Sequence, residues 1–290
     1  MPEGDTVWRV AKTLHKALAG ARVTTDFRVP QLATTELVGT VTESASRGKH
    51  LLTRFDTGDT LHTHLKMEGS WHLYRPGEGW RRPAHEARVV LTGEEWTAVG
   101  FALGVVELVR TDAEDTVVGH LGPDLLGPDW DPAEAVRRLA SDPSRALADA
   151  PLDQRNLAGA ENGLSAASAR DRQIADALID QRCLAGIGNL YKSETLFLAG
   201  VSPFLSVAEV PDLHKVVRIA HRLLFANRER VEQATTGDLR RGKQHWVYRR
   251  ENQPCRRCGT RIRATQQGPA GQERATYWCP RCQPSGVGGP

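Results

Sequence analysis

Long apolar runs are missing from the 290-residue sequence: nothing approaches the roughly 20 residues that a membrane-spanning helix needs. The start shows no charged-then-apolar pattern of the kind that directs secretion. These two absences lead us to expect a soluble protein of the cytoplasm. No internal repeat is visible, which excludes a repeat array. Strong net charge is missing too. The balance is only +3, so a uniformly basic coat is excluded.

The small net charge conceals an uneven distribution. From Glu94 to Asp142 there are eleven acidic and three basic residues, whereas from Leu239 to Arg263 there are nine basic residues and one acidic. A basic C-terminal segment beside an acidic middle fits a polyanion-binding face. A solvated charge run is the simpler alternative.

Cysteine is scarce but ordered. Four of the five cysteines form Cys255-x2-Cys258 and, twenty residues on, Cys279-x2-Cys282. Each CxxC turn aims two thiolates at one ion, and two such turns complete a tetrahedron, so one structural Zn2+ is expected. Two disulfides are the alternative, disfavoured in a reducing compartment. Gly268-Pro269-Ala270-Gly271 between strand-like runs predicts a hairpin joining the knuckles. Cys183 reads as a small buried residue rather than a nucleophile.

Length suggests about two domains. Val7, Val10, Ala11, Leu14 and Leu18 recur at helical spacing, with Asp5 or Thr6 as the cap and Gly20 as the stop. Residues 41–46, 50–55, 60–65, 70–74, 87–92, 95–100 and 104–109 have strand composition, which predicts an antiparallel sandwich or flattened barrel. Gly, Pro and Asp accumulate in "LGPDLLGPDWDP" and place a boundary near Asp131. Helical periodicity follows at 133–139, 171–183, 190–199 and 212–226. The expected division is 1–130, 131–245 and 246–285, with a disordered tail at 286–290.

Two motifs carry candidate chemistry. Pro2 and Glu3 precede the first helix and are not needed to nucleate it. A small Pro2 allows removal of Met1, which would expose a secondary amine; an untidy terminus is the alternative. In Gly186-Ile187-Gly188-Asn189 the glycines permit a tight turn, the next helix offers free amides to a phosphate, and Asn189 adds a donor. A bare GxGN is equally a helix–helix turn. His62 and His64 form an HxH on one sheet face and, lacking a third ligand, read as structural.

Taken together, "PEG", "RGKHLL", "HLKMEGSW", "HLGPDLL", "LAGIGNLYKSETLFLAGVSP", "VYRRENQPCRRCG" and "ERATYWCPRCQ" resemble, in order and from Pro2 to Gln283, the formamidopyrimidine-DNA glycosylase and endonuclease VIII family. The resemblance implies an α+β multidomain fold: a two-layered antiparallel β-sandwich with a flanking helix, then a helix-two-turns-helix domain and a four-cysteine zinc-finger hairpin. It implies a bifunctional glycosylase and abasic-site lyase of base-excision repair. Damaged DNA is its partner, with no membrane and no nucleotide cofactor, and the protein is a monomer near the nucleoid. Pro2 is then the nucleophile, Glu3 the acid/base and Lys49 a phosphate contact. Asn189 and Arg274 are phosphate clamps, Arg274 also serving δ-elimination. Met67 fills the gap left by a flipped base, a buried sheet Met being the alternative.

The family usually has an acidic residue where Thr6 stands and proline where Asp5 stands, which bears on the geometry around Pro2. "PEG" rather than "PEL", and the short stretch from Thr236 to Cys255, resemble the endonuclease VIII-like branch and imply oxidised pyrimidines over 8-oxoguanine. Lys66-Met67-Glu68 is the usual void-filling triplet of neither branch. Two other functions compete: a catalytically silent binder of damaged or kinked DNA, and a zinc-ribbon nucleic-acid adaptor. Only Pro2, Glu3 and Lys49 discriminate.

Overall fold

The computed structural model describes residues 2–141, 172–271 and 273–285. Contacts divide the chain into two compact units, Met1–His120 and Leu121–Pro290. The division falls ahead of the Gly-Pro-Asp stretch, because that stretch is bonded into the second unit. Gly122 N–H donates to Gln181 O (2.8 Å), Ala185 N–H to Pro123 O (3.0 Å), and Leu125 is fully buried there.

The first unit opens with helix α1 (Gly4–Leu18). It starts earlier than Asp5 or Thr6 would allow as caps. Glu3 holds the N-cap position through its carbonyl, which accepts from Thr6 N–H (3.0 Å) and Val7 N–H (3.1 Å); its side chain makes no capping bond. Val7, Ala11, Leu14 and Leu18 form the buried stripe, and Gly20 ends the run in the left-handed region at φ 80°.

Eight antiparallel strands follow: β1 (Arg22–Phe27), β2 (Leu37–Arg47), β3 (His50–Phe55), β4 (Asp59–His64), β5 (Ser70–Tyr74), β6 (Ala87–Thr92), β7 (Thr97–Phe101) and β8 (Val105–Arg110). Their spatial order is β5-β7-β6-β1-β2-β3-β4-β8. β2 pairs with β1 through Leu37–Thr40 and with β3 from Val41 onward, and the register shifts between Val41 and Glu43. That bulge bends the long strand and lets one sheet supply both layers. Val23, Phe27, Val89 and Leu91 from one half and Leu51, Phe55, Leu61 and Val106 from the other share a core with α1. The seven expected strands are present, with ends moved by a few residues. β1 is an eighth: Val23, Thr25 and Phe27 point inward, but Thr-Thr-Asp hides the alternation.

A single turn, α2 (Asp115–Val118), ends the first unit; in the second, α3 (Pro132–Ser141), α4 (Ile174–Ile179), α5 (Asn189–Ala199) and α6 (Leu213–Asn227) enclose Leu139, Leu178, Tyr191, Leu196 and Leu224. The helix expected over 171–183 is shorter. Asp180 leaves helical geometry at ψ 110°, and its carboxylate binds Arg182 N–H (3.0 Å) and the Arg172 and Arg182 guanidiniums. Asp171 and the tail at 286–290 lie outside the described residues. Strands β9 (Arg263–Gln267) and β10 (Arg274–Trp278) form the expected hairpin. No helix among the described residues is long and apolar enough to cross a membrane.

Candidate active edge and nucleic-acid interface

Within the first unit, α1 runs antiparallel to β2. Gly20 N–H donates to Val41 O (2.8 Å) at one end, and Ser44 N–H donates to His15 Nδ1 (3.3 Å) further along. From His15 back to Glu3 the helix climbs about 18 Å. From Ser44 to Gly48 the strand extends about 13 Å in the same direction. The helix N-terminus and the β2–β3 hairpin tip therefore lie at one end of the sandwich. Pro2 is half-buried there, while Glu3 is 1% and Asp5 2% exposed. The hairpin loop is Gly48-Lys49. A two-residue loop of this kind needs positive φ at its first position, which Gly48 supplies at 58°, so Lys49 sits at the tip.

Met67 lies between β4 and β5 in a turn closed by Gly69 N–H to Leu65 O (2.9 Å). A Cβ on Gly69 would stand 2.4 Å from that oxygen, so glycine is required. Met67 is 62% exposed, which removes the buried-sheet alternative. His62 and His64 are joined by His50. His50 Nδ1 lies 2.8 Å from His62 Nε2, and His62 Nδ1 lies 3.0 Å from Glu107 Oε2.

In the second unit, Gly186 at φ 96° turns the chain into α5. Gln181 braces this turn, donating to Ile179 O (2.8 Å) and Ile187 O (2.9 Å) and accepting from Gly186 N–H (3.0 Å). Asn189, the first residue of α5, donates to the carbonyl of Ala275 (2.8 Å). The turn is thus tied to the residue that follows the exposed Arg274 at the start of β10. The buried Lys192 ammonium donates to Thr276 Oγ1 (2.8 Å) and fixes the same strand. Glu194, fully buried, accepts from the main-chain N–H groups of Trp246, Val247 and Tyr248, all at 2.8 Å, and from the Thr235 hydroxyl. This carboxylate carries the chain into the cysteine hairpin.

The sulfurs of Cys255, Cys258, Cys279 and Cys282 all lie within 4.8 Å of one another. Cys255 and Cys282 are 3.9 Å apart, Cys258 and Cys279 3.5 Å. Tetrahedral thiolate sites with bonds of about 2.3 Å place sulfurs about 3.8 Å apart, so the set fits one ion. Hydrogen bonds at Thr260 lower the Cys258 thiol to about 6, while burial pushes Cys282 up. Four thiolates this close need a cation to coexist. Cys183 is buried, and burial pushes its thiol up to about 11, which suits an inert core residue.

Three family descriptions match the chain: the formamidopyrimidine-DNA glycosylase N-terminal domain over residues 1–103, its H2TH domain over 162–235, and the zinc finger found in FPG and IleRS over 252–284. "Probable endonuclease 8 2" of Streptomyces coelicolor is 49% identical, over 98% of this chain and 94% of its own length. The chain belongs to the formamidopyrimidine-DNA glycosylase and endonuclease VIII family. "DNA-(apurinic or apyrimidinic site) lyase Nei2" of Mycolicibacterium smegmatis is 42% identical over 98% of this chain and 99% of its own. The crystal structure of Lactococcus lactis formamidopyrimidine-DNA glycosylase bound to DNA containing an abasic site superposes with TM-score 0.72 at 19% identity, covering 98% of this chain and all of that one. The sandwich, the helical domain and the cysteine hairpin are therefore the family fold, and one structural zinc ion belongs to its zinc finger, whose four cysteines are placed to hold it.

Sequence reasoning on this family member overlooked Gln181, Lys192, Glu194, His50 and Glu107. Their partners lie far along the chain or are main-chain atoms. Only the "DQR" ahead of the glycine turn carried a readable signal, a polar side chain beside a loop in need of bracing.

Proposed function

We propose that the protein is a bifunctional DNA glycosylase and abasic-site lyase of base-excision repair that works through Pro2. The single observation carrying this reading is a half-buried Pro2 followed by a buried Glu3 at the N-terminus of α1, in a chain of this family. The mechanism requires removal of Met1. An α-amino group titrates near about 8, and a helix N-terminus disfavours its cationic form, so the amine is available near neutrality. Its lone pair attacks C1′ of the deoxyribose, and the damaged base leaves with the glycosidic electron pair. The nitrogen then loses its proton, and its lone pair expels O4′, which takes a proton as the sugar ring opens. The iminium so formed accepts electrons from the C2′–H bond, C2′ losing its proton as the 3′ phosphate departs, and a second elimination releases the 5′ phosphate.

Glu3 passes protons at the sugar ring. Lys49 at the hairpin tip contacts the phosphate beside the lesion. Asn189 and Arg274 hold the kinked backbone, and Arg274 assists the second elimination. The exposed Met67 fills the space of the everted base. Oxidised pyrimidines are the favoured class. In support, the stretch after Thr236 folds on itself, Thr235 and Thr236 N–H both donating to Gln244 O, and Arg256 clasping Gly242 O. A segment closed this tightly offers little to cover a purine.

Borohydride added during turnover of abasic-site DNA should give a covalent adduct, mapped by mass to Pro2. An adduct on Lys49 with Pro2 unmodified defeats the assignment. No adduct, with binding intact, leaves a silent binder. Under single-turnover conditions dihydrouracil or 5-hydroxycytosine should be released faster than 8-oxoguanine opposite cytosine; the reverse order moves the protein to the purine branch.

A further inference from the structure

The outer face of β3, β4 and β8 carries a hydrogen-bonded chain that the proposed mechanism leaves unused. Register pairs His50 with His64 and His62 with Glu107, and the alternate residues Leu51, Leu61 and Val106 take the core side. A carboxylate oxygen can only accept, so His62 carries its proton on Nδ1 and gives it to Glu107. His62 Nε2 is then the acceptor, and His50 donates to it from Nδ1. The chain of bonds fixes both tautomers and leaves Nε2 of neutral His50 as an acceptor. The His50 ring packs against His64 and His120 in edge contacts, at 5.0 and 6.2 Å between centroids.

The groups around His50 are nearly all basic. Arg47 stands opposite it on β2, Lys49 precedes it, His62 and His64 face it from β4, and Lys66 and His120 lie beyond; the acids are Glu107, bonded to His62, and Glu114, whose field also reaches His62. In the free protein, burial and then His62, His64, His120 and Lys66 hold His50 down at about 3. Burial, Lys66 and Lys49 hold His64 at about 4. An anion docking among these groups reverses the sign of the local field and favours the imidazolium.

We propose that Glu107, His62 and His50 form a positioning relay by which His50 takes up a proton at Nε2 when a DNA phosphate docks at the Lys49 hairpin, with Glu107 stabilising the added charge. This rests on the reading of Lys49 as a phosphate contact. The linkage has one sign. The bound state holds more protons than the free state, so affinity rises as pH falls below the bound-state pKa and is flat above it.

Binding to a duplex carrying a tetrahydrofuran abasic analogue, measured at constant ionic strength from pH 8 to 5.5, tests the relay. Wild-type affinity should rise at least threefold more over that range than that of His50→Gln or Glu107→Gln. Calorimetry in two buffers of different ionisation heat should show the missing proton uptake in both variants. Glu107→Gln is the decisive variant, because its amide oxygen still accepts from His62 and keeps the neutral tautomers while removing the charge. It lies at a half-exposed position, so folding is preserved. Equal pH slopes in all three proteins overturn the relay, as does a wild type that does not bind. Lys49→Gln separates the two ideas: an unchanged salt slope in that variant defeats the Lys49 reading, whereas the pH comparison reads the relay whatever Lys49 does.

Discussion

The α1 edge of the first unit and the cysteine hairpin of the second are supported in opposite ways. The edge rests on a continuous apolar core fed by α1 and both sheet layers, and its polar groups are added to a scaffold that stands without them. Among the described residues the hairpin rests on a small cluster, Phe197, Val247, Ile262, Cys255 and Cys279, with Leu198, Trp246 and Tyr277 partly buried against it. An isolated two-stranded ribbon is marginal in water. Zinc, Lys192, Asn189 and Glu194 supply what the core does not. The comparison teaches that the proposed chemistry sits where the fold is self-sufficient, and the proposed grip on DNA sits where it depends on a metal and a few charged tethers.

The sharpest way to stress this contrast is at Glu3. Replacing Glu3 with Gln should leave the melting temperature of the first unit nearly unchanged and slow base release by about 10²–10⁴, the usual range for a general acid–base group. Cleavage at a preformed abasic site should slow less. Equal slowing of the two steps, measured in single turnovers, removes Glu3 from the acid role.

The second test acts on the other side. Cys279→Ser should abolish stoichiometric zinc, read by metal analysis, disorder β9–β10, and weaken DNA binding tenfold or more, while hydrogen exchange in β1–β8 stays as in the wild type. Zinc-free protein that is folded and active refutes the structural role. Spread of the exchange into the sandwich would show that the two regions are not independent in the way their cores suggest.

The smallest effect belongs to Arg274→Ala. Arg274 is exposed at the start of β10. Its loss should weaken binding a few-fold at low salt and reduce the slope of log affinity against log salt by about 1, as for one phosphate contact. An unchanged slope means that this side chain does not touch the backbone of the nucleic acid.

Legibility in the sequence follows the same division. Strand composition and the turn residues between segments exposed seven of the sandwich strands, even though β4 and β7 bury both faces. β1 escaped because its inward Thr25 breaks the apolar pattern. The cysteine cluster was readable since metal geometry dictates the spacing within each CxxC pair, and the turn ahead of Asn189 was readable from its glycines, but the bond from Asn189 to Ala275 O was not. Glu3 as the N-cap residue was not, because its carbonyl does the work and its side chain does not. The relay was unreadable for a different reason. His50, His62 and Glu107 meet only through the β3–β4–β8 register, and a one-residue slip would send them to opposite faces.

Glu194 has a consequence for how freely the chain can change. Its three partners at 246–248 are main-chain N–H groups, so the clasp reads the path of the backbone and not the identity of the side chains. Trp246, Val247 and Tyr248 are therefore open to replacement as far as the clasp is concerned, limited only by their own packing. Proline alone is barred at all three, since each substitution would delete one donor and leave part of a buried carboxylate without a partner. One acidic side chain thus gives the approach to the zinc hairpin a course set by the backbone, and what restricts the side chains there is their packing alone.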